Sequence, residues 1–125
     1  MPIYWLTEEL IFPPVEGADE DGVLALGGDL SSERLLLAYK KGIFPWYNED
    51  EPIVWWAPNP RFVLYTNKLK VSKSMRSLLN KKAFRVSMNS AFDEVISNCK
   101  TISRNDQNGT WIDQEMKNAY TKLHK

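Results

Sequence analysis

The sequence has very few of the residues that form disulfides or bind structural metals. One cysteine, Cys99, and one histidine, His124, occur in 125 residues. A single cysteine cannot form an internal disulfide, and two potential ligands cannot complete a tetrahedral zinc site. His124 is also the last residue but one, where fraying opposes catalytic geometry, so no nucleophile and base pair is predicted.

The chain also lacks a long apolar run and a basic, signal-like start. Its opening, MPIYWLTEELIFPPVEG, contains two early glutamates and several prolines, which argues against a secretory signal. Hydrophobic residues make up 43% and charged residues 26% of the chain, as in ordinary globular proteins. We therefore expect a cytoplasmic protein with no membrane partner.

Charge is distributed unevenly, although the net charge is zero. Residues 1–60 contain eleven acidic and three basic residues, whereas residues 61–125 contain five acidic and thirteen basic residues. No acid occurs within residues 61–85, where eight basic residues occur. Such a stretch is typical of proteins that bind a phosphate-bearing partner, although a solvated helix face has the same composition.

Sequence patterns predict an α+β fold with a domain boundary near residue 60. SSERLLLAYKKG is predicted to be a helix with Ser31 or Ser32 as its N-cap and Gly42 after its end. RFVLYT after Pro60 and the alternating residues 84–88 are predicted strands. Further helices are predicted over residues 72–81, from a cap at Asn89 or Ser90, and from a capping-box-like start at Thr110.

Aromatic residues are concentrated in KKGIFPWYNEDEPIVWWAPNP, residues 40–60, which contains three of the five tryptophans. Core packing, a groove for proline-rich peptides and a stacking platform for bases are the three interpretations. Adjacent Trp55 and Trp56 point to opposite sides of an extended segment, so at least one is predicted to be core. No tryptophan pair has the spacing of a WW-type groove. Core and ligand roles remain equally open for Trp46.

The short GGD run, from Gly27 to Asp29, precedes a predicted helix. Backbone N–H groups there could bind an anion. A tight turn into a capped helix is the favoured interpretation, because the aspartate would repel a phosphate.

Four runs resemble the leucyl/phenylalanyl-tRNA–protein transferases of bacteria: GVLALGGDLSSERLLLAYKKGIFPWY, EPIVWWAPNPRFVL, SKSMRSLL, and GTWI with the following AY and LH. The resemblance covers nearly the whole chain. It implies transfer of Leu or Phe from aminoacyl-tRNA to the N-terminal Arg or Lys of a protein, which marks that protein for degradation by the N-end rule. It also implies that residues 1–60 are a small α+β N-terminal domain and that residues 61–125 are the first, incomplete part of a GNAT-like (acyl-CoA N-acyltransferase-like) domain.

Individual roles follow from the same resemblance. Trp46 and Trp111 match tryptophans that hold the terminal adenosine of the tRNA, and Tyr39 and Tyr120 match tyrosines near that site. The tRNA body is expected on a basic region formed by Lys73, Arg76, Lys81, Lys82 and Arg85. The family's catalytic glutamate and glutamine belong to a later part of its pattern, so no catalytic residue is predicted here and this chain alone is expected to be inactive.

The expected partners are Leu-tRNA or Phe-tRNA and an acceptor protein. Stacking rings suit a single-stranded RNA end better than duplex DNA, so DNA is not expected. An aminoacyl ester is already activated toward an amine, so no cofactor or metal is expected. Two alternatives remain, namely an RNA-binding fragment without enzymatic activity and a protein-interaction module.

Overall fold

The computed structural model describes residues 2–106 and 109–125 and shows a mixed α/β protein. Contacts divide the chain into two compact units. The first contains the described parts of Met1–Asn59 and Phe92–Lys125, and the second is Pro60–Ala91. The first unit thus combines residues from both sides of position 60. The division into domains 1–60 and 61–125 stays a prediction.

A small mixed sheet lies in the first unit. In the described residues its strands run in the order β1, β2, β4, β3. β1 is parallel to β2, whereas β2 with β4 and β3 with β4 are antiparallel. The strands are β1 (Tyr4–Leu6), β2 (Val23–Gly27), β3 (Phe44–Pro45) and β4 (Val54–Trp56).

Strand β4 confirms the predicted alternation of the two adjacent tryptophans. Trp55 is fully buried, whereas Trp56 is only partly buried. The Trp55 indole Nε1–H donates to the Gly27 carbonyl at 2.8 Å, and its ring meets the edge of Phe12 at 5.0 Å between centroids. A large ring with its polar atom satisfied is well suited to the centre of a small core.

Helix α1 (Ser32–Lys40) begins and ends where the sequence predicts. The Ser31 hydroxyl accepts a hydrogen bond from the Arg34 N–H, so Ser31 is the N-cap. Leu35 and Ala38 are fully buried and face the core. Gly42 has a φ of 73°, which is the left-handed conformation that glycine adopts most easily after a helix end.

Helices α3 (Phe92–Thr101) and α4 (Gln114–His124) complete the first unit. The predicted start of the last helix at Thr110 is wrong, because the N-cap is Asp113, whose carboxylate accepts from the Met116 N–H at 2.6 Å. A carboxylate at the cap also interacts favourably with the helix dipole. Met116 is fully buried and joins the core, so α4 packs beside α1.

Arg34 is a buried charge that the sequence analysis did not identify. Its side chain is fully buried, and its Nη2 donates to the carbonyls of Thr7 and Glu9 at 2.8 and 3.3 Å. Its Nε lies 3.4 Å from Asp29 Oδ1. These contacts tie the segment after β1 to the start of α1.

The GGD run forms the tight turn that was favoured from the sequence. Gly27 and Gly28 have φ values of 80° and 76°. Asp29 Oδ1 accepts from the Ser31 N–H at 2.9 Å. A Cβ on Gly28 would lie 3.1 Å from Leu6 Cδ1 and 3.2 Å from Arg34 Nε, so the turn has little space for a side chain.

The second unit contains helix α2 (Lys73–Asn80), close to the predicted range of residues 72–81, and its N-cap is Ser72. The two strands predicted within this unit are wrong: residues 61–66 and 84–88 form no strand. A strand needs a hydrogen-bonded neighbour, and the sheet of the described residues includes neither segment. Every residue from 60 to 91 is exposed, including the apolar ones.

Candidate functional site

Six described residues of the first unit line a cavity of about 380 Å³, called here the aromatic cavity. Four of them are the residues that the sequence analysis selected for the terminal adenosine. The structure brings these four together although they lie as much as 81 positions apart in the chain. The six lining residues are Tyr39, Phe44, Pro45, Trp46, Trp111 and Tyr120.

Tyr39 is placed at the cavity by helix α1. Its side chain is 50% exposed, whereas the preceding residue, Ala38, is fully buried and lies on the core side of the helix. The caps that fix α1 therefore also fix the direction of this phenol.

Trp46 follows the short strand β3 and is held by its backbone. Its N–H donates to the Val54 carbonyl at 3.0 Å, and its own carbonyl accepts from the Trp56 Nε1–H at 2.6 Å. The next residue, Tyr47, is buried at 7% exposure, whereas the Trp46 side chain is 54% exposed. An anchored backbone with an exposed ring favours a ligand role over core packing for Trp46.

Helix α4 and the residues before it supply the opposite part of the lining. The Tyr120 and Tyr39 hydroxyls are 2.5 Å apart and share a hydrogen bond, with their rings edge to face. The Trp111 ring meets Tyr120 edge to face at 6.4 Å between centroids, and Trp111 is 37% exposed. Tyr120 therefore connects the α1 side of the cavity to Trp111.

Two phenols near the cavity, those of Tyr120 and Tyr47, have raised pKa values. Burial, and then the hydrogen bond to Tyr39, raises the pKa of Tyr120. Burial, and then the carboxylates of Asp113 and Glu115, raises the pKa of Tyr47. Neutral hydroxyls can donate and accept hydrogen bonds, as the sugar hydroxyls and base edges of a nucleoside require.

Phe44 and Pro45 line the cavity but were not selected from the sequence. They lie in GIFPWY, directly before Trp46. From the sequence alone, an apolar residue that lines a cavity cannot be distinguished from one that packs in the core. Only the pairing of β3 with β4 shows which side they face.

The basic residues predicted to bind RNA lie in the second unit. Lys73 and Arg76 belong to α2, whereas Lys81, Lys82 and Arg85 follow it. All five are exposed. Their role stays a prediction.

Neither Cys99 nor His124 lines the aromatic cavity. Cys99 is an exposed free thiol on α3, and His124 stacks on Phe92 at 4.3 Å between centroids. Across the described residues, no cluster of three or more His, Cys, Asp or Glu side chains could hold a metal ion. No helix in the described ranges is long and apolar enough to cross a membrane.

Comparison with known proteins gives matches along most of the chain. Residues 28–59 match the sequence model of the leucyl/phenylalanyl-tRNA protein transferase N-terminal domain, and residues 63–125 match that of the leucyl/phenylalanyl-tRNA protein transferase itself. The chain belongs to this family. The second match begins four residues after the first one ends.

Curated relatives are similar over almost the full chain. A leucyl/phenylalanyl-tRNA–protein transferase of Flavobacterium johnsoniae is 63% identical over 98% of this chain and 58% of its own length. The corresponding protein of Syntrophus aciditrophicus is 56% identical over 99% of this chain and 52% of its own length. The Hydrogenovibrio crunogenus protein is 52% identical over 98% of this chain and 49% of its own length. The chain therefore spans about half the length of the curated relatives it matches.

Proposed function

We propose that the aromatic cavity binds the 3′-terminal adenosine of an aminoacyl-tRNA. The observation that carries this proposal is the convergence of Tyr39, Trp46, Trp111 and Tyr120 on one cavity of the first unit. Two half-exposed indoles offer faces for a flat base, and stacking on an aromatic ring contributes roughly 1–3 kcal/mol per base. Stacking alone would accept any base, so the paired tyrosine hydroxyls supply the polar contacts.

The reaction proposed for the complete protein is aminoacyl transfer from Leu-tRNA or Phe-tRNA to the N-terminal Arg or Lys of an acceptor. The acceptor amine attacks the ester carbonyl carbon, a C–N bond forms, and the C–O bond to the ribose breaks. The amine loses a proton and the ribose oxygen gains one, so no oxidant, nucleotide or metal is consumed. Placement of the ester beside the amine supplies much of the rate.

In this scheme the chain supplies adenosine binding and tRNA binding but no proposed catalytic residue. The basic residues of Pro60–Ala91, which are exposed and have no acid among them through residue 85, would contact tRNA phosphates. Residues 1–60 and 61–125 would be the N-terminal domain and the first part of a GNAT-like domain. A cytoplasmic location and a role in N-end rule degradation belong to the same proposal.

Adenosine binding is tested with a stable analogue, 3′-deoxy-3′-(leucylamido)adenosine, titrated calorimetrically into the chain. Trp46→Ala and Trp111→Ala should each weaken binding by roughly 1–3 kcal/mol, because each removes one stacking face. Trp5→Ala is the matched control, since Trp5 is 59% exposed and lies outside the cavity lining. Equal affinity in the unaltered chain and in all three variants would contradict the proposal.

Transfer is tested separately in a fusion of this chain with the remaining half of the Flavobacterium johnsoniae relative. The fusion should move radiolabelled Leu or Phe from tRNA to an Arg-initiated peptide, and Trp46→Ala should reduce that rate. A folded fusion that binds tRNA but transfers nothing would favour the alternative of RNA binding without catalysis.

A further inference from the structure

Tyr47 follows Trp46 directly, but it packs in the core and does not line the aromatic cavity. Burial alternates at β3 and on either side of it, where the buried residues are Ile43, Pro45 and Tyr47. Phe44 and Trp46 lie between them, are more exposed and line the cavity. Neighbouring side chains of an extended segment point to opposite sides, so burial of Tyr47 directs the Trp46 ring outward.

Helix α4 is held by the same core. Met116 is fully buried and belongs to the same core cluster as Tyr47, and Tyr120 packs against that cluster. Met116 and Tyr120 are four residues apart, so they lie on one face of the helix. The core that contains Tyr47 therefore also supports the helix that carries Tyr120 to the cavity.

The hydroxyl of Tyr47 lies near the start of α4. Burial raises the pKa of this hydroxyl, and the carboxylates of Asp113 and Glu115 raise it further. Asp113 is the N-cap of α4 and lies two residues after Trp111. Tyr47 thus connects the segment that holds Trp46 to the segment that holds Trp111.

We propose that Tyr47 is a positioning residue that sets the separation of the Trp46 and Trp111 rings at the aromatic cavity. This inference rests on the proposed function, because the separation matters only if the cavity holds the adenosine. A gap of about 0.5–1 Å between two packed surfaces loses roughly a quarter to a half of their attraction. A small shift of either ring would therefore weaken binding although both rings remain present.

Calorimetric titration with 3′-deoxy-3′-(leucylamido)adenosine tests this role, because it gives both a dissociation constant and the number of sites per chain. Tyr47→Leu should raise the dissociation constant about five- to tenfold, near the lower end of the loss expected from removing a stacking ring. The number of sites should not change. A residue that only stabilises the fold would lower the number of competent sites and leave the dissociation constant unchanged. Circular dichroism verifies that each variant is folded at the titration temperature.

Phe12→Leu is the matched control. Phe12 is as buried as Tyr47 and belongs to the same core cluster, but its ring packs against Trp55 and does not line the aromatic cavity. This variant should leave the dissociation constant unchanged. No weakening by Tyr47→Leu, equal weakening by Phe12→Leu, or fewer sites at an unchanged dissociation constant in Tyr47→Leu overturns the inference.

Tyr47→Phe separates the ring from its hydroxyl. It keeps the packed ring and should bind the analogue as tightly as the unaltered chain does. If it weakens binding as much as Tyr47→Leu, the hydroxyl carries the effect and the inference is wrong. If Tyr47→Leu does not fold, Tyr47→Met takes its place, because a flexible unbranched side chain fills irregular core space. The same rise in the dissociation constant is expected.

Failure of this inference is distinct from failure of the proposed function. If the unaltered chain and every Tyr47 variant bind the analogue equally well, the inference fails while the proposed function stands. If the unaltered chain does not bind the analogue, the proposed function fails and this inference fails with it.

Discussion

The two compact units differ in how far they bury their apolar side chains. The first buries Trp55, Leu35, Ile43 and Met116 completely, whereas the second leaves every residue from 60 to 91 exposed. The aromatic cavity belongs to the first unit, and the acid-free basic stretch, residues 61–85, lies wholly within the second. The first unit is a packed scaffold that orients aromatic rings, whereas the second is an exposed segment that carries positive charge.

The largest expected effect is on the packed unit. Trp55→Ala should lower the free energy of unfolding by about 3–5 kcal/mol, because it leaves a large cavity and removes the indole hydrogen bond to the Gly27 carbonyl. Phe62→Ala in the second unit should change it by less than about 0.5 kcal/mol, since that ring is exposed. Urea denaturation followed by circular dichroism measures both. Similar losses would show that residue 62 is packed in solution.

A smaller effect is expected from the ion pair of Asp29 with Arg34. Asp29→Asn should cost about 1 kcal/mol near neutral pH, a modest value because the Asp29 side chain is 54% exposed and screened by solvent. Urea denaturation of both proteins over a pH series measures this cost.

The same ion pair has a predicted pH dependence. Burial opposes ionisation of Asp29, but hydrogen bonds from Ser31 and the Arg34 charge outweigh it and lower the pKa. A lowered carboxyl pKa stabilises the fold fully above the ordinary value of about 3.9 and loses that contribution as pH falls through the folded value. The difference between the two proteins should shrink only below about pH 4. A constant difference down to lower pH would contradict the assignment.

The hydroxyl pair at the aromatic cavity should contribute less. Tyr120→Phe removes the hydrogen bond to Tyr39 and should cost about 0.5–1.5 kcal/mol in stability, toward the lower end because Tyr39 is half exposed. Tyr65→Phe in the second unit, where the ring is 63% exposed, is the control and should change nothing measurable. Thermal unfolding compares the two variants. Equal changes in melting temperature would show that the hydrogen bond between Tyr39 and Tyr120 does not contribute to stability.

The smallest effect on stability is expected at the basic helix, where the effect on binding should be clear. Lys73→Gln combined with Arg76→Gln should change the free energy of unfolding by less than about 0.5 kcal/mol, because both side chains are exposed. If each contacts a phosphate, the slope of log affinity for tRNA against log salt should fall by about 0.7–0.9 per residue. Filter binding at several salt concentrations measures this slope. An unchanged slope would leave α2 without a role in tRNA binding.

Local signals in the sequence predicted each described α-helix, but not every helix boundary. Ser31 is one of the two N-caps expected before α1, Gly42 follows the end of α1, and α2 begins next to the predicted start at residue 72. The last helix begins later than predicted, because Asp113 and Thr110 are both good caps and the sequence pattern does not rank them. Tyr39, Trp46, Trp111 and Tyr120 of the aromatic cavity were selected through resemblance to a family and not through spacing, and Phe44 was not selected.

What the sequence could not supply depends on contacts between distant segments. Alternating residues 84–88 have the pattern of a strand, yet a strand exists only where another strand accepts its hydrogen bonds. Arg34 has the composition signal of a surface charge, and its burial depends on the carbonyls of Thr7 and Glu9, 27 and 25 positions earlier, together with Asp29.

By itself the sequence determined the capped helices, the division of charge and the family, because each depends on neighbouring residues or on a recognisable order of motifs. Tertiary structure decided which tryptophan is core and which is exposed, and it brought Trp46 and Trp111 to one cavity. The physical reason is that side-chain burial and cavity shape arise from packing between elements that are far apart in the chain. No local pattern contains that information.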